Sequence, residues 1–287
     1  MRSIAVLNQK GGVGKTTTAV NLSAALAAGG SKVCLIDLDP QAHATLHLGH
    51  TPGESGNSVY EVLLGNSTFR DALRNAGENL WLLESHIDLA AAEVELAGVV
   101  GREAILRDKI AEGLGREREG DRQLMAERQG AEFDFLLIDC PPSLGILSLN
   151  ALAAVDEVLL PLQPHFLALH GLSKLLQTIE MVSRRVNPRL TLRGVVLCQY
   201  ESATRLAGEV SQNVVEYFES QRDKPSPWSG SRVFQSRIRR NIRLAEAPSF
   251  GQSIFDYAPD SHGAEDYRSL AQEIVQVGAA GAWAKSA

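Results

Sequence analysis

Features that mark several common classes of protein are scarce or missing in this sequence. The chain has three cysteines among 287 residues, and no two of them form a Cys-x-x-Cys pair, which argues against a zinc ribbon or a disulfide framework. A signal peptide is missing, and no apolar run is long enough to cross a bilayer. These absences predict a cytoplasmic protein in a reducing compartment, without a membrane partner.

An excess of positive charge is missing as well. The formal net charge is −6, which by itself argues against a nucleic-acid partner. Beyond residues 270–277 the only basic residue is Lys285, so a basic helix that could bind anionic lipid is not indicated. Arginines are nevertheless crowded in two stretches that contain no acidic residue. They are Arg184, Arg185, Arg189 and Arg193 in the first, and Arg237, Arg239, Arg240 and Arg243 in the second.

The length and the apolar pattern predict the fold class. Short apolar runs typical of strands alternate with longer stretches rich in alanine and leucine, which is the pattern of a doubly wound, mostly parallel α/β sheet flanked by helices. No internal repeat or low-complexity tract interrupts it, and the chain is long enough for a large core. The predicted strands are residues 3–7, 32–38, 133–138, 157–161 and 194–199.

A glycine-rich loop follows the first predicted strand. Residues 10–17 read Lys-Gly-Gly-Val-Gly-Lys-Thr-Thr, a variant of the phosphate-binding loop, because the standard pattern needs glycine where the chain has Gln9. A helix is predicted from Thr17 to Ala28, with Gly29 as its stop. Strand, loop and helix in this order argue against a chance glycine turn, and the helix N-terminus favours anionic phosphate.

Aspartates follow two further predicted strands. Asp37 and Asp39 come at the end of the second strand, and Asp139 ends the third. In open α/β sheets ligands bind at the carboxyl ends of the strands, so these carboxylates should lie beside the loop. Asp139 would hold Mg²⁺ through water. Asp37 and Asp39 would point to opposite faces if the strand continued, so only one of them should face the phosphates directly.

Taken together, the motifs resemble those of the ParA/Soj family of partitioning ATPases, which carry deviant Walker motifs. The similar segments are residues 10–17, Asp-Leu-Asp-Pro-Gln at 37–41, and Ile-Asp-Cys-Pro-Pro-Ser-Leu-Gly at 138–145. Two late segments, residues 241–249 and 263–268, are similar as well. The resemblance covers nearly the whole chain, with the motifs in the family's order.

The resemblance implies a role for each motif residue. Lys10 would cross a dimer interface to the partner subunit's nucleotide. Lys15 would bind phosphate, Thr16 would bind Mg²⁺, Asp39 would position the attacking water, and Asp139 would be the Walker B carboxylate. The implied ATP-binding residues are Lys10, Gly11, Gly12, Val13, Gly14, Lys15, Thr16, Thr17 and Asn241.

The chain departs from the family pattern near the expected adenine contact. Asn241 stands where the family contacts adenine, but Arg239 stands where the family usually has proline. Cys140 follows the Walker B aspartate, where an iron-cluster ligand can be imagined by analogy with the related nitrogenase iron proteins. The second cysteine that such a site requires is not evident, so we interpret Cys140 as a small residue beside the nucleotide.

The family binds DNA without sequence preference, and the resemblance implies which arginines would do so here. Arg243 matches a DNA-contacting arginine of the family, and Arg240 is its neighbour. A second family arginine falls at Ala203, where Arg205 is close enough to substitute. The alternative is that these arginines form surface ion pairs. Sequence alone leaves both possibilities open, because a phosphate-binding patch and a solvated basic patch look alike.

We expect one P-loop ATPase domain over residues 1–287. It would contain a charged insertion around 113–130 and a surface loop around 224–230. The chain begins at its first strand, so we expect neither an N-terminal DNA-reading domain nor operator repression.

The leading hypothesis for function is a nucleoid-associated ATPase that forms an ATP-dependent homodimer. It would bind double-stranded DNA non-specifically and drive chromosome or plasmid segregation, with weak hydrolysis stimulated by a ParB-like protein. The alternative is an ATP-switched positioning or scaffold protein for a protein cargo. A metabolic ATPase or reductase is a third hypothesis.

Overall fold

The computed structural model describes residues 1–115, 133–165, 168–201 and 204–283, apart from the side chains of 168–170 and 277–283. The strands are β1 (Arg2–Val6), β2 (Val33–Asp37), β3 (Leu73–Gly77), β4 (Leu80–Leu83), β5 (Phe135–Asp139), β6 (Glu157–Leu162), β7 (Thr191–Tyr200) and β8 (Arg232–Arg239). The helices are α1 (Lys15–Ala28), α2 (His43–His47), α3 (Val59–Leu64), α4 (Leu89–Glu95), α5 (Ile105–Gly113), α6 (Ile146–Ala154), α7 (Ala168–Arg185), α8 (Arg205–Gln221), α9 (Ile242–Glu246), α10 (Ile254–Tyr257) and α11 (His262–Trp283).

These strands form one sheet in the order β3-β4-β2-β5-β1-β6-β7-β8. Every pairing is parallel except that of β3 with β4 at one edge. β1 lies in the centre between β5 and β6, so its carboxyl end is flanked by neighbours whose carboxyl ends face the same way. This is the arrangement in which a loop after the central strand becomes a ligand site, and it confirms the predicted fold class.

Apolar side chains alternate between the two faces of the sheet. In β5, Leu136 and Ile138 belong to one buried cluster while Phe135 and Leu137 belong to the other. Helices α1 and α11 cover the second cluster, and helices α3 to α8 contribute to the first. Since both faces are covered, β2 and β5 are buried at every residue, which explains why their sequences are apolar up to the final aspartate.

The sequence located five strands correctly but missed β3, β4 and β8. β4 and the antiparallel β3 form a short hairpin, and β8 carries five polar or charged residues in eight. A strand of that composition lacks the apolar run on which the prediction depended. β8 is stabilised instead by pairing with β7 and by packing against α11.

Two predicted insertions have different outcomes. The charged segment predicted at 113–130 begins where α5 ends, at Gly113. Residues 116–130 of that segment lie outside the described residues. The segment 224–230 forms turns between α8 and β8. It is anchored, however, because Trp228 packs against the core and the Leu192 N–H donates to the Pro227 carbonyl at 2.8 Å.

No helix in the described part of the chain is both long enough and apolar enough to span a membrane.

Candidate nucleotide site

The expected site lies where β1, β2 and β5 end. The strand register places Val6 of β1 and Asp37 of β2 directly beside Asp139 of β5. The glycine loop leaves β1 at this edge and leads into α1, whose first residue is Lys15. Parallel pairing therefore brings together three segments that are far apart in the sequence.

The loop adopts left-handed backbone angles at two glycines. Gly12 has φ +72° and Gly14 has φ +91°, and both lie in the region that a Cβ atom disfavours. Gly14 caps α1, since its carbonyl accepts a hydrogen bond from the Thr18 N–H at 2.9 Å. The first N–H groups of α1 have no partner within a helix, so they are available to an anion in the loop.

Lys15 is largely enclosed at the base of the loop, with 8% of its surface exposed. Its Nζ donates to the Lys10 carbonyl at 3.3 Å. Burial lowers the pKa of Lys15, while the charges of Asp139 and Asp39 oppose that shift. The lysine therefore lies close to both carboxylates, where its charge is weakly hydrated and available to a phosphate.

Asp139 is fully buried, and neither of its carboxylate oxygens has a hydrogen-bond partner of normal geometry among the residues that the structure describes. Burial and the nearby charge of Asp37 raise its pKa well above the usual range, although the Thr16 hydroxyl lies near enough to oppose the shift. An unsatisfied buried carboxylate beside a hydroxyl is a good fit for a water bound to Mg²⁺, which takes few protein ligands. Among the described residues, no group of three or more His, Cys, Asp or Glu side chains is placed to hold a metal ion.

Replacing Asp139 with asparagine should stabilise the nucleotide-free protein at pH 8, by about 1–2 kcal/mol. A carboxyl whose pKa is raised by folding lowers stability above its unfolded pKa, and the penalty grows as pH rises towards the folded pKa. The gain of Asp139→Asn should therefore shrink as pH falls from 8 to 5. Thermal unfolding across that range tests this, with Asp223→Asn at an exposed position as control; a gain that does not depend on pH would contradict it.

The structure distinguishes Asp37 from Asp39, which the sequence could not do. Asp37 is the last residue of β2, and its Oδ2 accepts two hydrogen bonds of 2.8 Å from the Thr45 backbone and hydroxyl. Burial raises the pKa of Asp37 to about 6, against these hydrogen bonds. Asp39 lies beyond the strand, with 8% of its surface exposed, and its backbone carbonyl is fixed by the Ser85 hydroxyl at 2.7 Å. The side chain of Asp39 accepts a hydrogen bond from the Gln41 N–H to Oδ1 at 3.0 Å, so the two carboxylates differ in their partners and in their exposure.

Lys10 lies at the outer side of the loop and is exposed. Its backbone N–H donates to the Asn8 side chain at 3.0 Å, and its Nζ contacts Nε2 of His165. Burial and the Lys10 charge lower the pKa of His165. His165 was missed by the sequence analysis, although it follows β6 at the same edge of the sheet and could have been found by extending that strand. Unlike Lys15, Lys10 points to the rim of the site.

Asn241 caps the short helix α9, and its side chain accepts a hydrogen bond from the Arg243 N–H at 2.8 Å. Arg239 stands at the position where the family usually has proline. Its Nη2 forms ion pairs with Oδ1 of Asp266 at 2.5 Å and with Oε2 of Glu265 at 2.7 Å. These hydrogen bonds raise the pKa of Arg239 further. The arginine therefore anchors β8 to α11 and is not free to reach a ligand.

The three arginines expected to bind DNA are accessible, and each is paired with a glutamate. Arg205 pairs with Glu209 at 2.8 Å, Arg240 with Glu201 at 2.9 Å and Arg243 with Glu246 at 2.8 Å; their side chains are 93%, 77% and 54% exposed. Surface ion pairs of this kind contribute about 0–1 kcal/mol each, so a phosphate could replace the glutamate. Ala203, the position of the missing family arginine, lies outside the described residues.

Comparison with known proteins extends the similarity to nearly the whole chain. A profile of the AAA domain family matches residues 1–192. The sporulation initiation inhibitor protein Soj of Bacillus subtilis is 42% identical over 276 residues, which cover 96% of this chain and 98% of Soj. The chromosome partitioning protein ParA of Myxococcus xanthus is 40% identical, over 96% of this chain and 88% of ParA.

A solved structure agrees with this similarity. The crystal structure of cobyrinic acid a,c-diamide synthase from Mycobacterium smegmatis, with bound ADP and magnesium, superposes with a TM-score of 0.77 at 36% sequence identity. The superposition covers 98% of this chain and 96% of that one. The matched region therefore includes both the glycine loop and the late segments that contain Asn241 and Asp266.

Proposed function

The chain belongs to the Soj/ParA family of chromosome-partitioning ATPases, and we propose that it is an ATP-dependent dimerisation switch that binds DNA without sequence preference. The observation that carries this proposal is the combination of an enclosed Lys15, an unpartnered buried Asp139 and the open N-terminus of α1 at one edge of the sheet. Burying ionisable groups is costly unless they are paired and hydrogen-bonded, and a phosphate beside Lys15 and a metal-bound water beside Asp139 would offset that cost.

ATP and Mg²⁺ fit the two halves of the site. The loop from Lys10 to Thr17 would hold the phosphates through its N–H groups and Lys15, and the Thr16 hydroxyl and Asp139 would hold the metal, Asp139 through water. Bound Mg²⁺ would supply positive charge to the phosphates and to the buried carboxylates. Support comes from the Mycobacterium smegmatis structure, which contains ADP and magnesium. Asn241 would contact the base.

Asp39 and Lys10 would give the switch its two states. Asp39, beyond the end of β2, would orient the attacking water, while Asp37 remains engaged with Thr45. Lys10 lies at the rim, where it could leave His165 and reach the nucleotide of a second subunit. ATP would then join two subunits, and hydrolysis would separate them. In this view the whole chain, residues 1–287, acts as one ATPase domain.

The dimer would bind double-stranded DNA through Arg205, Arg240 and Arg243 on each subunit. Phosphate contacts release counterions, so binding should be nearly independent of sequence and steeply dependent on salt. Joining two weak surfaces in one dimer raises avidity, which makes DNA binding depend on ATP. We further propose a cytoplasmic, nucleoid-associated protein whose weak hydrolysis is stimulated by a ParB-like partner.

DNA binding provides the experiment that tests this function. In an Asp39→Ala protein loaded with ATP, Arg243→Glu should weaken DNA binding at least about tenfold and reduce the salt slope by about two, because a dimer presents the residue twice. Gel shifts at several salt concentrations measure both quantities. Arg243 remains exposed and pairs only on the surface, so nucleotide binding should be unchanged.

Arg184→Glu is the matched comparison, because Arg184 is also an exposed arginine paired with a glutamate on its own helix, at 2.8 Å. It belongs to the other arginine cluster. If Arg184→Glu abolishes DNA binding and Arg243→Glu does not, the surface is the one at residues 184–193. If the parent protein with ATP does not bind DNA at all, segregation is the wrong function and an ATP-switched scaffold for a protein cargo takes its place.

A further inference from the structure

Gln199 has an unusual backbone conformation at the end of β7, next to the glycine loop. Its φ is +50°, in the left-handed region that residues with a Cβ disfavour. The pairing of β7 with β8 shifts register between Cys198 and Tyr200, so Gln199 is the extra residue of a bulge. Bulges of this kind redirect a side chain, often beside an active site.

The redirection is visible in the two neighbours of Gln199. In a regular strand, residues two apart lie on the same face of the sheet. Cys198 nevertheless packs in the cluster under α1, while Tyr200 packs in the cluster on the opposite face. The side chain of Gln199 therefore belongs to neither buried cluster and extends from the edge of the sheet towards the loop.

There the side-chain amide of Gln199 donates to the Gly12 carbonyl at 2.6 Å. A carbonyl can only accept, so the amide nitrogen must face it. In a trans peptide the carbonyl and the following N–H point in opposite directions. A bond that fixes the Gly12 carbonyl therefore also fixes the direction of the Val13 N–H.

The same strand end supports the loop at a second point. A Cβ on Gly14 would lie 3.6 Å from the Cβ of Cys198, and the Thr18 hydroxyl lies 3.6 Å from the Cys198 sulfur. The backbone below the loop is thus already packed. Gly12 differs, since a Cβ there would meet no atom of the described residues within 4 Å. Its carbonyl is held by the side-chain amide of Gln199.

We propose that Gln199 is a positioning residue for ATP binding, which holds the Gly12–Val13 peptide so that the Val13 N–H faces the phosphates. The inference rests on the proposed function, because it assumes that the loop binds a nucleotide. Gln199 does not itself need to touch ATP. Its disfavoured left-handed conformation is the backbone strain that accompanies bringing the amide to the loop.

The test distinguishes the effect of losing the side-chain amide from the effect of relieving the backbone strain at Gln199. Gln199→Gly removes the amide but suits the left-handed conformation, so it should leave the unfolding temperature of the nucleotide-free protein unchanged or higher. ATP affinity should nevertheless fall about three- to tenfold, the effect of one lost hydrogen bond. Gln199→Glu keeps the size of the side chain but presents only acceptors to the Gly12 carbonyl, so its ATP affinity should fall further than that of Gln199→Gly. Calorimetry with ATP and thermal unfolding give the two readouts.

Asn79→Gly is the matched control, because Asn79 also has a left-handed φ, +56°, in the turn before β4 and away from the loop. It should gain stability without losing ATP affinity. Wild-type affinity in Gln199→Gly would overturn the proposal, and so would a loss of affinity accompanied by an equal loss of stability. If the wild-type protein binds ATP no better than Lys15→Ala, the proposed function fails instead.

Discussion

Lys15→Ala should lower ATP affinity at least about 100-fold, the largest effect expected from any single substitution in the site. Lys15 is enclosed at the base of the loop, and burial lowers its pKa, so its charge is poorly hydrated before any ligand arrives. A hydrogen bond from such a cation to a phosphate contributes about 1.5–3 kcal/mol, and its loss leaves Asp139 and Asp39 to repel the phosphates. Isothermal calorimetry with ATP and Mg²⁺ measures the change.

Folding must be checked separately, because Lys15 also offsets the charges of the neighbouring aspartates. Thermal unfolding without nucleotide shows whether Lys15→Ala retains the fold. Lys109→Ala is a suitable control, since Lys109 pairs with Glu112 at 3.4 Å on α5 and does not contact the loop. A folded Lys15→Ala protein that binds ATP with wild-type affinity would remove the nucleotide assignment altogether.

Asp39→Ala should slow ATP hydrolysis about 100-fold, in the range expected when a water loses its orienting carboxylate. ATP affinity should change less than about threefold, because Asp39 lies beyond the strand end and the phosphates are held by the loop. The protein should therefore accumulate as an ATP-bound dimer. Turnover by phosphate release and mass by light scattering test both parts. Wild-type turnover in a monomer would contradict the role.

Lys10→Ala should show the phenotype opposite to that of Asp39→Ala, and the comparison of the two variants tests dimerisation separately from hydrolysis. Lys10 is exposed at the rim, while Lys15 faces the interior. If Lys10 acts across the dimer interface as proposed, its removal should leave some ATP binding but prevent dimerisation. If Lys10→Ala dimerises with ATP as the parent does, the lysine has only a local role in contact with His165.

The sequence by itself determined the fold class, the central strands and the phosphate loop. Each of these is encoded locally: β2 and β5 are apolar runs that end in aspartate, residues 4–6 of β1 are apolar, and the loop is eight adjacent residues that lead into a helix. Such signals survive because buried parallel strands require apolar side chains on both faces. The more polar strands β3 and β8 lack this requirement and were not predicted, and β4 was missed because its apolar run is only four residues long. Family resemblance added the roles of Lys10 and Asp39.

The tertiary structure decided which side chains are available and which are already engaged. Asp37 and Asp39 are equivalent in the sequence, but Thr45 binds only the first. Arg239 and Arg243 lie in one run of arginines, yet Asp266, 27 residues away, holds only Arg239. Gln199 reaches Gly12 across 187 residues through a bulge that no local pattern announces. Contacts between distant segments depend on strand order and register, and these are set by packing the whole sheet rather than by any one segment of the chain.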